Sequence, residues 1–142
     1  MTRDDLVGSW SLIRFWFTDD DGVEMDPLGE DAVGHLLLAD DGNYAFTMMR
    51  QGRTPYESGD VLGGSNAEKC EAADGYVSFG GEWSFDGEAI RFGATYSFFP
   101  NWVGGEQRRL ASMEGDELVL RTAWPIPMAG KVQRGAARWR RL

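Results

Sequence analysis

HLLLADDGNYAFTMMR, residues 35–50, sets the pattern on which the rest of the chain is built. Asp40-Asp41-Gly42-Asn43 interrupts it with the residues that tight turns need: carboxylate and amide side chains that bond back to the chain, and a glycine free to adopt positive φ. After the break Tyr44, Phe46, Met48 and Arg50 alternate with Ala45, Thr47 and Met49. Successive strand side chains point to opposite faces, so the stretch predicts two strands, His35–Ala39 and Tyr44–Arg50, joined as a hairpin.

The same grammar recurs outward from there. Gly8–Phe17 alternates Trp10, Leu12, Arg14 and Trp16 with Ser11, Ile13, Phe15 and Phe17, and Asp19-Asp20-Asp21-Gly22 ends it. Strands Tyr76–Phe85 and Ala89–Phe99 flank Asp86-Gly87-Glu88, strands Glu106–Met113 and Glu117–Trp124 flank Glu114-Gly115-Asp116, and Lys131–Arg141 closes the chain. Eight such runs with short turns predict an all-β fold, an eight-stranded antiparallel up-and-down barrel whose closure removes exposed edges. Residues 51–64, rich in Gly, Pro, Ser and charge, read as a loop. Ser65–Ala73 is the one helical stretch, with Ser65 as cap, Glu68 three residues on and Gly75 just past its end. Loop and helix fall between the third and fourth strands, as a lid over one barrel mouth. No repeat or linker divides the chain, so residues 1–142 read as a single domain.

A length of 142 residues is enough to bury a core, and 42% hydrophobic with 26% charged residues is ordinary globular composition. Six Trp and 13% aromatics supply either a thick core or a lined pocket. The net charge of −9 disfavours nucleic acid and anionic membranes, which require a basic face. Residues 1–42 hold eleven acids against Arg3 and Arg14, whereas residues 121–142 hold six bases and no acid. These opposite balances either support pairing of the first and last strands or belong to solvated ends. With Cys70 alone there is no disulfide framework, and Met1–Asp5 begins no apolar leader. The expectation is a cytoplasmic protein, monomer or homodimer.

Most familiar site chemistry is missing. One histidine, His35, cannot build a multi-His zinc site, and Asp19-x-Asp21-Gly22 fails as a calcium loop because Phe17 and Leu28 occupy ligand positions. No phosphate-cradling glycine loop precedes a helix. No metal and no cofactor are expected. A Ser–His–Asp triad would have to pass through His35, which has no nucleophile elbow beside it. Cys70 with His35 is a conceivable pair, the alternatives being an inert thiol and a packed imidazole.

Several segments, in order, resemble the bacterial lipocalin-like domain family. They are Leu6-Val7-Gly8-Ser9-Trp10-Ser11-Leu12, Asp26-Pro27-Leu28-Gly29, Gly34-His35-Leu36, Asp41-Gly42-Asn43-Tyr44, the run Pro100-Asn101-Trp102-Val103-Gly104-Gly105-Glu106-Gln107-Arg108-Arg109, Gly115-Asp116-Glu117-Leu118-Val119-Leu120, and Ala137-Arg138-Trp139-Arg140. The resemblance covers nearly the whole chain. It implies a barrel with an interior cavity, a first-strand Trp turned inward and met by an Arg of the last strand. It also implies either a carrier of hydrophobic ligands or a cofactor-free cyclase or isomerase. One departure is Arg91-Phe92-Gly93-Ala94, which lacks the His pair of the family pattern, so no imidazole role carries over.

If Trp10 faces inward, parity brings Arg14 with it, and an interior guanidinium must find a carboxylate, carbonyls or a ligand anion. Arg14 is therefore a candidate anchor, with a structural ion pair or a rim position as alternatives. Parity likewise turns Ile90, Phe92, Ala94, Tyr96 and Phe98 inward, and Tyr96 would carry a phenol into the cavity as donor or weak acid, or bond to backbone. Phe79, Trp83 and Phe85 form the apolar face of the fourth strand, and Leu118, Leu120, Thr122 and Trp124 that of the seventh. Gln107 and Arg109 share a face taken as inward, with Glu82 outward. The expected ligand-binding set is Arg14, Tyr44, Phe46, Met48, Trp83, Phe92, Tyr96, Gln107, Arg109, Leu120 and Trp124. The expected partner is a small apolar or amphipathic, possibly anionic, molecule. The alternative is a cofactor-independent cyclase or isomerase of secondary metabolism, acting by orientation on a polyketide- or terpenoid-type intermediate, with Arg14 and Tyr96 as its catalytic candidates. A third reading is a filled barrel serving a structural or regulatory partner.

Overall fold

In chain order the computed structural model, which describes residues 1–142, contains β1 (Gly8–Thr18), β2 (Glu24–Met25), β3 (Val33–Leu38), β4 (Asn43–Met49), α1 (Asn66–Asp74), β5 (Tyr76–Phe85), β6 (Ala89–Gly93), β7 (Tyr96–Ser97), β8 (Glu106–Glu114), β9 (Glu117–Thr122), β10 (Ile126–Met128) and β11 (Lys131–Arg141). Eight of these, β1, β3, β4, β5, β6, β8, β9 and β11, pair each with the next, and β11 returns to β1 to close an antiparallel barrel. The short β2, β7 and β10 pair with β1, β5 and β11.

The hairpin of residues 35–50 forms as its alternation predicts. Leu36 pairs with Phe46 and Leu38 with Tyr44, all four buried, and the Asp41 carboxylate accepts the Asn43 backbone N–H at 2.9 Å while Gly42 takes φ +92°. The helix is capped by both halves of a capping box: the Glu68 N–H donates to Ser65 Oγ, and the Glu68 carboxylate accepts the Ser65 N–H.

Closure is sealed at one end. Trp10 is fully buried and its indole N–H donates to the Leu6 carbonyl at 2.9 Å. The Arg141 guanidinium lies 4.1 Å above the Trp10 ring and donates to the Val7 carbonyl at 2.8 Å and to the Asp5 carbonyl. Leu6, Leu36, Leu118 and Trp139 fill the space beneath, all without accessible surface. Arg141 is thus the last-strand arginine that meets the first-strand tryptophan. The opposite charges of the two chain ends meet in one ion pair, Lys131 with Asp19 at 2.7 Å. Arg138 turns instead to Glu114 and Glu117 at 2.6 and 3.0 Å.

Three expectations fail for stated reasons. Leu12 pairs with Trp139 but Arg14 with Arg138, so Ile13 is an extra residue, a bulge that reverses the parity of β1. Beyond it Phe15 and Phe17 face inward and Arg14 faces out, bonded to Asp26 at 2.8 Å and Glu24 at 3.0 Å with its guanidinium over Trp16. The predicted strand Ala89–Phe99 breaks after Gly93, and β7 lies back on β5 with Tyr96 opposite Gly80. A Cβ at Gly80 would collide with the Tyr96 hydroxyl, so glycine there makes room for the phenol, and Tyr96 as a residue is 56% exposed outside the barrel. Finally β9 ends at Thr122, ahead of Pro125, which has no N–H for a ladder, and Trp124 is exposed.

Replacing Arg141 by Ala removes two charge-assisted bonds to carbonyls and a cation–π contact, and the expected loss is about 1–2 kcal/mol in urea unfolding. Arg140→Ala, which touches only Glu117 at 3.7 Å from an exposed position, should change stability by less than about 0.5 kcal/mol. Equal effects of the two would show that Arg141 does not hold the sealed end.

Candidate functional site

With one end sealed, the empty space gathers at the other, beneath the connections after β1, β4, β6 and β9. A cavity of about 510 Å³, open solvent at its mouth included, enters the barrel there. It is a narrow cleft between the side chains of facing strands. Its walls are Phe15 and Phe17 from β1, Phe46 and Met48 from β4, Val77 and Phe79 from β5, Leu120 and Thr122 from β9, and Gly135, Ala136 and Ala137 from β11. Gly135 is required by Phe17: a Cβ there would stand 2.7 Å from the phenyl ring. Phe46 stacks on Phe79 at 4.5 Å, so the wall presents a broad aromatic surface.

Two neighbouring strands bring polar side chains to this apolar wall. Arg109 on β8 and Thr122 on β9 are directly opposed partners across the strand pair. The Arg109 guanidinium has no carboxylate partner; it donates to Gln107 Oε1 at 3.3 and 3.4 Å and to the Arg108 carbonyl at 3.2 Å. Burial pulls its pKa well below the ordinary arginine value, to about 10, against an opposing pull from Tyr44, so it stays charged at neutral pH. The residue keeps some accessible surface because it borders the cavity. The Thr122 hydroxyl oxygen accepts the Gly135 N–H at 3.1 Å.

Of the residues expected from the sequence, Phe46, Met48, Arg109 and Leu120 line this cavity. Tyr44, Trp83 and Phe92 are buried in the core instead. Tyr44 donates to the Gly93 carbonyl at 3.1 Å, and burial pushes its phenol well above the ordinary value. Trp83 donates to the Ala39 carbonyl at 2.9 Å. Gln107 stands beside Arg109 without lining the cavity. Arg14, Tyr96 and Trp124 lie outside it, which corrects their interior placement. His35 and Cys70 are both exposed and share no hydrogen bond.

The sequence reading missed Phe15 and Phe17, hidden by the bulge, and the cover over the mouth. That cover is Trp102, in the 3-10 turn Pro100–Trp102, with Ile126 and Met128 of β10. Trp102 stands edge-on to Phe79 and Phe99 at 5.2 and 5.5 Å. The helix α1 contributes no lining residue and buries none of its own, so it is not the lid expected at this mouth. Arg53 instead ties its C-terminal Ala72 carbonyl to the preceding loop. No group of three or more His, Cys, Asp or Glu side chains is placed to hold a metal ion, and no helix is long and apolar enough to cross a membrane.

Comparison with known proteins agrees with this geometry. The chain is 30% identical over 103 residues to an Aspergillus oryzae protein named 4'-hydroxy-3'-methoxypropiophenone carrier protein ppsC, a match spanning 67% of this chain and 93% of that one. The lipocalin-like domain family matches residues 7–142. Through that match and its closed eight-stranded barrel, the chain belongs to the lipocalin-like domain family.

Proposed function

We propose that this protein is a carrier that holds one small, flat, largely apolar molecule by its oxygen-bearing end and releases it unchanged. The observation that carries this reading is Arg109, a charged guanidinium without a carboxylate partner on the wall of an aromatic cavity. A buried charge left unpaired is costly, and a ligand oxygen is the partner the cavity can admit. The named cargo of the Aspergillus oryzae relative, an oxygenated aryl ketone, has the chemistry that aromatic walls and one strong donor would suit. Seven acids between Asp19 and Asp31, on the connection that leaves β1 at the mouth, oppose ligands with several negative charges. The exposed single thiol of Cys70 suits a reducing compartment, and we place the carrier in the cytoplasm.

The alternative, a cofactor-independent cyclase or isomerase, would have to work by orientation alone, because the lining residues include no carboxylate or imidazole to move a proton. One experiment separates the two. Titration with 4'-hydroxy-3'-methoxypropiophenone by calorimetry should saturate at one molecule per chain, and chromatography after long incubation should return it unchanged. A rearranged product would replace the carrier with the isomerase reading. Absence of saturable binding to this ketone and to other oxygenated benzene rings would overturn both.

Arg109 should also weaken the empty protein. Because burial lowers its pKa, the charged form is disfavoured in the folded state, and that penalty persists at every pH below about 10, fading only as pH rises toward the ordinary arginine value. Arg109→Met should therefore raise stability at neutral pH by about 1–2 kcal/mol in urea unfolding. A loss of similar size would mean that the guanidinium ties the fold together rather than waiting for a ligand.

A further inference from the structure

The donors of Arg109 are unequally used. A guanidinium has five N–H groups. Nη1 is engaged by Gln107 Oε1 at 3.4 Å and the Arg108 carbonyl at 3.2 Å, and Nη2 by Gln107 Oε1 at 3.3 Å. Nε donates to no protein atom, and it is not among the sealed, unpartnered nitrogens of the fold. The unused donors are therefore Nε–H and the second Nη2–H, which lie on one edge of the planar group and point the same way. On the opposed residue, Thr122 Oγ1 accepts from Gly135, so its own hydrogen remains to be donated. These two lining residues thus carry three donor groups with no protein acceptor, and no side-chain carboxylate stands among the lining residues to take them.

We propose that the cavity selects a ligand with two adjacent acceptor oxygens, held across the Nε–Nη2 edge of Arg109 and by the Thr122 hydroxyl. This deepens the carrier reading and rests on it. A single carbonyl oxygen would satisfy one of the paired donors and leave the other unmade, whereas paired oxygens match the fork. Two sources share this chemistry: a carboxylate on an aromatic ring, and a ring bearing neighbouring hydroxyl and ether oxygens. The narrow cavity and its stacked phenyl walls suit either ring.

Calorimetry with four probes on one ring size tests this. Para-methoxybenzoate is compared with para-methoxyacetophenone, and ortho-methoxyphenol with meta-methoxyphenol. In the unaltered protein at least one paired-oxygen probe should bind about tenfold tighter than its counterpart, and which pair discriminates names the source. Arg109→Lys, which keeps the charge but loses the fork, should bring that ratio to within about twofold, weakening the paired-oxygen probe several-fold more than its counterpart. Thr122→Val should lower the ratio by about threefold and Thr122→Ser should restore it. Ratios near one in the unaltered protein, or a preference that survives Arg109→Lys, would overturn the paired-oxygen site while leaving the carrier standing. If no ring binds at all, both readings fall together.

Discussion

The hydrogen-bonded seam between β1 and β11 is the constraint on which the rest of the molecule depends. It joins residues more than a hundred positions apart, from Trp10 opposite Arg141 to Thr18 opposite Arg134. Without it both strands would be open edges, with unpaired backbone groups free to recruit another chain. At one end of this seam the Trp10–Arg141 contact and the Leu6 plug fill the barrel completely. Close packing at that end leaves the interior only one place to be hollow, so the seam decides where a ligand can enter as well as whether the fold is closed.

The seam also carries the inserted residue, Ile13, that determines what the cavity is made of. Past the bulge two phenyl rings turn inward and a guanidinium and an indole turn out. Had the strand kept its period, Arg14 would have turned inward, away from the acids it now meets outside, and the cavity wall would have lost Phe15 and Phe17. The bulge leaves Arg109 as the charge on that wall. A desolvated cation of this kind opposes folding in the empty protein and favours any ligand that can complete its hydrogen bonds, a local inconsistency of the sort that folded proteins keep at binding sites.

How much of this was legible in the sequence follows the range of the interactions involved. The hairpin at residues 35–50, the three Asp- or Glu-containing turns and the Ser65–Glu68 capping box depend on neighbours within a few residues, and all formed where they were expected. Phe46, Met48 and Leu120 were placed on the cavity wall by unbroken alternation in strands without bulges. Arg109 was placed with them, although the apolar Leu110 on the other face made its parity harder to read. Arg14 and Tyr96 were misplaced because their strands depart from period two. In one case an extra residue is absorbed opposite β11, and in the other a break after Gly93 lets the phenol settle on Gly80.

The sequence by itself therefore determined the eight strands of the barrel, the turns, the capped helix and an apolar interior, since local alternation and turn chemistry suffice for these. Only the tertiary structure decided which end is hollow, which arginine borders the cavity and which loop covers it. Trp102 leans over the mouth because Phe79 and Phe99 offer it edges to pack on, and α1 does not because it has no apolar face to bury there. Those outcomes depend on contacts between residues remote in the chain. No local pattern records which strand a bulge is paired against.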